Sequence, residues 1–403
     1  MTLPTSSTIP SGLPALDPES TTHALAVTDH LARQIRESDN GFIPFEQWMN
    51  SALYAPGLGY YAAGNTKFGA SLPTGDFTTA PEMTPLFGQT LARQVAQVLN
   101  ECNALQILEF GAGSGALAAA VIPALRQLGI EPRYQILEVS ADLRARQQQR
   151  LAHFGTSVSW LDAFPEAFSG CVLANEVLDA MPATLFRWSD EGKAMEIGVR
   201  LAGATASWGQ DVPDTSAPFE FAERPAGERL QSIISRRMPP LPGYQSEINL
   251  QAEAWVAQMG SWLKHGAALL IDYGFPQREY YHPQRSEGTL MCHFRHYSHS
   301  QPLIYAGLQD ITTHVDFTAM ADAALDGGLD VLGYTSQARF LLNADMPELL
   351  AYVDAAAQPQ ALSAVQKLIS EAEMGELFKV LAIGRGIAGP LVGFSRGDRR
   401  DRL

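Results

Sequence analysis

Only three cysteines occur in 403 residues, Cys102, Cys171 and Cys292, far apart and in no C-x-x-C pair. An odd number at such spacing argues against a disulfide framework and a zinc knuckle, so the three are expected as buried, reduced thiols of a cytoplasmic protein. Positive charge is also scarce: 28 Lys and Arg stand against 43 Asp and Glu, a formal net charge of −15. Binding to nucleic acid needs clustered cations that displace counterions from phosphates, so no nucleic-acid partner is expected. A neutral or cationic target suits this balance better. Apolar runs are short, and none is long enough to span a bilayer. The opening segment has neither the basic start nor the apolar run of a signal peptide, so membrane insertion and export are not expected.

What is present is a chain that is 46% hydrophobic and longer than one compact domain usually is. One main domain with sizeable insertions or a small second lobe is expected. Residues 1–22, rich in Pro, Ser and Thr, are expected as a disordered tail, and the basic stretch 386–403 as a flexible one. Phe45, Trp48, Met49, Ala52 and Leu53 share one helix face, and Pro56-Gly57 stops that helix. From Leu105 the pattern alternates: strand Ile107 to Phe110, helix Ala116 to Leu128, strand Tyr134 to Val139, helix Ala141 to Leu151. Such alternation predicts an α/β fold with a parallel sheet and covering helices. Cys171 to Ala174 and Ala267 to Ile271 are interior strand candidates of the same sheet. Phe378 to Ile383 is a last strand, preceded by a helical stretch from about Ser363. Residues 189 to 245, broken by Pro, Gly and Ser, are expected outside the sheet.

The segment Glu109-Phe110-Gly111-Ala112-Gly113-Ser114-Gly115 lies between a predicted strand and a predicted helix, where glycines let backbone approach a ligand. Gly111, Gly113 and Ala116 also satisfy the dinucleotide fingerprint G-x-G-x-x-G/A. Glu109 favours S-adenosylmethionine (SAM) over NAD, because a carboxylate there repels a pyrophosphate and attracts a sulfonium and an ammonium. Glu138 ends the next strand, placed to accept from both ribose hydroxyls of an adenosine, with Val139 and Ser140 beside it. Asp162 is a candidate acceptor for the adenine amino group, or simply an Asx turn. Asn175 and Glu176 follow an apolar run, at the carboxyl end of a central strand beside the crevice where open α/β sheets bind ligands, and both are candidates for cofactor contact. If a helical turn follows, Glu176 and Asp179 point to one side; the plain alternative is a capped helix start with solvated acids.

Seven stretches are similar to the MidA-type SAM-dependent methyltransferases, a family related to the mitochondrial complex I assembly arginine methyltransferase. They are G-F-I-P-F-E-Q-W-M-N-S-A-L-Y-A-P-G-L-G-Y-Y (41 to 61), G-D-F-T-T-A-P-E (75 to 82), L-E-F-G-A-G-S-G (108 to 115), A-N-E-V-L-D-A-M-P (174 to 182), I-D-Y-G-F (271 to 275), R-S-E-G-T-L (285 to 290) and D-I-T-T-H-V-D-F (310 to 317). The resemblance implies a seven-stranded class I, Rossmann-like sheet with a reversed last strand and an inserted second lobe. On that reading residues 23–100 form an N-terminal helical and lid region, and 101–385 the methyltransferase domain, with insertions at about 186–246 and 276–310. The resemblance also implies that Asp76, Phe77, Thr78, Thr79, Pro81 and Glu82 close over the cofactor.

An arginine acceptor stays protonated, so carboxylates must orient its guanidinium. Glu176 and Asp179 are the candidates for that clamp, with Asp272 in I-D-Y-G as a third. His296 or His314 is a candidate to take the departing proton, though a lone histidine is more often a packing residue. Histidines 293, 296 and 299 have no completing ligand, so no metal is expected. The acceptor implied is a protein, such as a complex I type subunit, and a homodimer is a further expectation. Two other readings remain open at this stage: a non-catalytic SAM-binding assembly or adaptor protein, and an NAD-linked oxidoreductase.

Overall fold

Strands buried on both faces read as continuous apolar runs, and Ala267-Ala268-Leu269-Leu270-Ile271 does so in an interior strand of a large sheet. This sheet belongs to a computed structural model that describes residue 10 and residues 12–63, 79–203 and 218–403. The chain forms two compact units.

The first unit comprises Thr78–Asp179, Ala252–Gln277 and Val315–Leu403. Its strands are β1 (Gln106–Phe110), β2 (Arg133–Leu137), β3 (Val158–Leu161), β4 (Phe168–Asn175), β5 (Leu263–Phe275), β6 (Val315–Asp316), β7 (Asp330–Ser336) and β8 (Phe378–Arg385). Seven of them run in the order β7-β8-β5-β4-β1-β2-β3, and two-residue β6 pairs with β5 as an eighth. β1 to β5 are mutually parallel where they pair, whereas β8 runs antiparallel to both β5 and β7. The expected reversed last strand is therefore present, and among the described residues the sheet has eight strands where seven were expected. The chain leaves β1 towards β2 and β3, then returns to lay β4 on the other side of β1. That reversal opens a crevice at the carboxyl ends of β1 and β4, where open α/β sheets bind ligands.

Four helices of this unit frame the crevice: α1 (Ala80–Met83), α2 (Pro85–Cys102), α3 (Ala116–Gln127) and α4 (Ala141–Leu151). Thr84 accepts from the backbone N–H of Leu86 at 3.3 Å, with Pro85 following, so α2 starts where an N-cap and a first-turn proline coincide. Asn103, at φ 50°, ends it in the left-handed region. Gly88 lets α2 lie close on α3: a Cβ there would stand 2.6 Å from the Cβ of Ala120. Leu91, Val121, Ile107, Tyr134, Leu173 and Leu269 are all buried in the core shared by helices and sheet. Each such side chain contributes about 1.5–3 kcal/mol by leaving water.

Residues 386–403 do not form the expected flexible tail. Leu391 and Phe394 are buried in the same core, the Phe394 ring meets Phe340 edge-on at 5.4 Å, and the N–H groups of Val392 and Gly393 donate to the side chains of Gln97 and Gln94. The N-terminal expectation is likewise shortened, because a helix already starts at Pro18, capped by Asp17 accepting from Ser20 N at 2.8 Å. Arg295, which also bonds Asp17, and that cap hold its carboxyl well below the usual range.

The second unit comprises Met1–Phe77, Ala180–Gln251 and Arg278–His314. An antiparallel sheet runs Ile43–Pro44, Ala194–Leu201, Thr184–Trp188, Gln245–Ile248, and Phe219–Pro225 also pairs with Ala194–Leu201. A three-stranded sheet joins Tyr297–His299, Met291–Phe294 and Asp310–Thr312. Helices Pro18–Glu37 and Phe45–Tyr54 bury Leu31, Ile35, Trp48 and Leu53 in its core. Among the described residues of 189–245 none lies in the large sheet, as expected, and they carry two strands and the helix Glu228–Arg237 of their own.

Candidate functional site

Three loops leave the carboxyl ends of β1, β2 and β4. The β1 loop has Gly111, Gly113 and Gly115 at φ 60°, 53° and 81°, the left-handed region that a side chain disfavours. A Cβ on Gly111 would press on Val177 at 3.1 Å, and one on Gly115 on Leu151 at 3.3 Å, whereas one on Gly113 would meet nothing within 4 Å among the described residues. The loop is thus held from behind at both ends, with open space over its middle. Ala112 is buried beneath it.

Glu138 follows β2 and is 9% exposed. One carboxylate oxygen accepts from the backbone N–H of Ser140 at 2.9 Å, and the other from the Gln147 amide at 3.0 Å. A carboxylate has about four lone-pair sites, and with the backbone N–H of Val139 also bonded to it, capacity is left for a hydroxyl donor. Burial pushes its pKa up, while the Ser140 and Gln147 bonds oppose that. Ser140 also caps α4 by accepting from Leu143 N. Val139, adjacent to this carboxylate, is 75% exposed, an apolar side chain facing water. Phe164 is part-exposed as well, and belongs to an aromatic group in which its ring stacks on Trp262 and Phe110 meets Trp255 edge-on at 5.0 Å.

The loop residues that the resemblance singled out divide. Asp76, Phe77 and Thr78 lie outside the described residues. Thr79 is the N-cap residue of α1, in which Pro81 and Glu82 sit. The Ser114 hydroxyl donates to Glu82, and Arg150 on α4 donates to Ser114 at 2.6 Å and to Glu82 at 3.4 Å. Glu82 is therefore anchored directly on the glycine loop.

At the end of β4, the Asn175 amide donates to Glu176 at 3.1 Å, and the buried Asn175 Oδ1 has no hydrogen-bond partner among the described residues. No helical turn follows: Glu176 has φ 54° and the next residues form a bend and turn. The spacing argument for Glu176 and Asp179 therefore fails, because the left-handed residue breaks the helical period; the two acids are neighbours through a turn. That turn is held by Asp272, whose Oδ2 accepts from the N–H groups of Val177, Leu178 and Asp179 at 3.0–3.3 Å. Asp272 is fully buried, and its expected place as a third clamp group is corrected: it is bonded to backbone and orients the turn. Burial raises its pKa well above the usual range, with the charges of Asp179 and Glu176 adding to this. Asp179 is buried and accepts from the Tyr273 hydroxyl at 2.6 Å.

Four further candidates remain. Glu109 is buried under the glycine loop and accepts from Tyr134 Oη at 2.8 Å; burial raises its pKa to about 8. At neutral pH it is mostly protonated, so the charge argument made for it does not hold in this structure. Asp162 is 84% exposed in its side chain and pairs with Arg144. His296 and His314 belong to the second unit. His296 sits with Arg295 at the exposed tip of a β-hairpin, both at positive φ as a two-residue turn requires, and His314 N donates to Thr289 Oγ1. Among the described residues no three His, Cys, Asp or Glu side chains are grouped to hold a metal ion.

Sequence reasoning missed Gln147, Tyr134, Trp160 and Tyr273. Gln147 bonds Gly113 and Glu138, Trp160 bonds Gln147, Tyr134 bonds Glu109 and Tyr273 bonds Asp179, but Gln147 lies in the polar run Q-Q-Q-R and the aromatics look like ordinary core.

A parallel sheet with one reversed strand, a glycine loop open over its middle, a buried acid at the second strand end and an orphaned acceptor at the fourth together define a class I SAM-dependent methyltransferase. Comparison with known proteins bears on each point. The family described as "Putative S-adenosyl-L-methionine-dependent methyltransferase" matches residues 90–335, and the chain belongs to it. A crystal structure of a Burkholderia thailandensis protein bound to S-adenosyl-homocysteine superposes with a TM-score of 0.88 at 45% identity, covering 97% of this chain and 100% of that one. The mitochondrial protein arginine methyltransferase NDUFAF7 homolog of Drosophila melanogaster is 28% identical over 95% of this chain and 92% of its own length. NDUFAF7 of Homo sapiens is 25% identical over 88% and 82% respectively. The cofactor is S-adenosylmethionine, and the enzyme is a methyltransferase.

Proposed function

We propose that this enzyme methylates an arginine of a protein substrate, and that Glu176 and Asp179 bind the guanidinium. The observation that carries the reading is the pair of acids on a rigid turn at the carboxyl end of β4, next to the strand that bears the glycine loop. The relatives named protein arginine methyltransferase support it. So does the resemblance set out above, from which a subunit of complex I type is the proposed acceptor. A cytoplasmic place of action is part of the proposal, supported by three cysteines that are buried and unbridged.

When bound, S-adenosylmethionine supplies an electrophilic methyl group on a sulfonium. The chain must then hold the cofactor and align the acceptor, excluding water. Gly111 to Gly115 would receive the cofactor's amino-acid end, Glu138 its ribose hydroxyls, and Val139 an apolar face of its adenine. Glu176 and Asp179 would orient the guanidinium, whose pKa exceeds about 12 and which is otherwise a weak nucleophile. Two carboxylates concentrate electron density on one nitrogen by accepting from the others. As that nitrogen takes the methyl group, the methyl–sulfur bond would break to leave a neutral thioether, and one of the two protons on the nitrogen would become acidic enough for a carboxylate of the turn to accept. Tyr273 fixes Asp179 for this task, and Asp272 fixes the turn.

The test compares wild type and Glu176→Gln for calorimetric SAM affinity and for methyl transfer to arginine in an acceptor protein, read by mass spectrometry. Unchanged affinity with turnover reduced at least about a hundredfold is expected, since the amide donates where the guanidinium needs an acceptor. Full turnover in this variant would remove Glu176 from the clamp.

A further inference from the structure

Gln147 is the one fully buried glutamine of α4, between exposed Arg146 and Gln148. Its amide nitrogen donates to the Gly113 carbonyl at 2.9 Å and to Glu138 Oε2 at 3.0 Å, and its amide oxygen accepts from the Trp160 indole at 2.9 Å. The orientation has no alternative: the indole only donates, while the carbonyl and the carboxylate oxygen face the NH2 group as acceptors. Flipping the amide would set oxygen against two acceptors and nitrogen against a donor. Trp160 on β3 thus locks the amide, and the amide joins the glycine loop after β1 to the acid after β2.

We propose that Gln147 is a positioning residue for cofactor binding, holding Glu138 with its free lone pairs turned to the ribose and Gly113 in its left-handed conformation. This rests on the placement of Glu138 at the ribose. Glu138 comes off β2 with the backbone N–H groups of Ser140 and Val139 bonding its carboxylate, Ser140 on Oε1, while no side chain but that of Gln147 is bonded to Oε2 among the described residues. Gln147 supplies the second point. The chain can thereby offer a preformed acceptor pair, which spares the ordering of a free carboxylate when the cofactor arrives. Gln147 touches no substrate; it acts through its two neighbours.

The experiment uses the full chain and titrates S-adenosylhomocysteine and its 2′-deoxy analogue by calorimetry, with thermal unfolding of each variant alongside. Gln147→Met keeps side-chain length without the amide and is expected to weaken S-adenosylhomocysteine binding roughly tenfold or more, the scale of a lost hydrogen bond to a charged group. Against the 2′-deoxy analogue the loss shrinks, because part of what Glu138 holds is gone. With Glu138→Gln added, the double variant loses little beyond Glu138→Gln alone, since coupled residues are not additive. Trp160→Phe, which frees the amide to turn, gives a smaller loss of the same pattern and carries the test should Gln147→Met not fold. A general structural role instead lowers the melting point and weakens both ligands equally. Equal loss for the two ligands, additive losses with Glu138→Gln, or wild-type affinity in Gln147→Met overturns the proposal. Wild-type affinity in Glu138→Gln overturns the ribose placement instead, and Gln147 falls with it.

Discussion

Glu109 stands two residues before the first glycine, yet the carboxyl group points into the core and meets Tyr134. Its pKa of about 8 sets a pH dependence that can be signed. Below pH 4.5 folded and unfolded chains both carry the proton; between 4.5 and 8 only the folded one does. Stability therefore falls as pH rises through that window, by about 1.4 kcal/mol per unit from this group, and levels off above it. Glu109→Gln should flatten that decline, as urea denaturation at pH 5, 6, 7 and 8 would read; an identical slope in both proteins would refute it. At Gly113 the expectation concerns the ligand. Gly113→Leu places a side chain in the space over the loop and demands a positive φ, so SAM binding is lost while the fold remains. Calorimetry and circular dichroism check the two halves of that statement.

Elements were legible where period and punctuation agreed. The helix Ala141–Leu151 has the bounds its sequence predicts, because Ser140 caps it and an apolar residue closes it. The β1 strand and its glycine loop were legible for the same reason. The turn after β4 was not: nothing in A-N-E-V-L-D-A marks Glu176 as left-handed, and what fixes it there is Asp272, almost a hundred residues on. Gln147 escaped notice because burial of one glutamine in a polar run depends on helix phase relative to β2 and β3, which is tertiary information. The C-terminal turns were misread for a like reason, since basic composition conceals the apolar anchors Leu391 and Phe394. Phe394→Ala should cost about 3–5 kcal/mol, as for other large core truncations, measured by urea midpoint. Gly88→Val should also destabilise, by about 1–3 kcal/mol, because α2 and α3 must move apart to admit it. A change under 0.5 kcal/mol in either would show that the local packing is looser than described.

Over the whole molecule the charge of −15 sets how acceptors arrive. An arginine-rich substrate is drawn to such a surface, and the attraction weakens once salt shortens the Debye length. Association with a basic acceptor peptide should slow roughly tenfold between about 0.03 and 0.5 M salt, while SAM affinity changes far less; stopped-flow mixing separates them. The connectivity of the large sheet has a different consequence. The edge of β5 that pairs with Phe378–Arg385 runs from Gly266 to Tyr273 and is almost wholly apolar. More than a hundred residues separate these partners in the chain, so during synthesis β5 has left the ribosome well before its neighbour exists. Throughout that interval it presents a bare hydrophobic edge able to recruit other nascent chains. The reversed strand therefore serves as the closing seal of translation, and a chain ending before it would be a substrate for chaperones or a seed for aggregates.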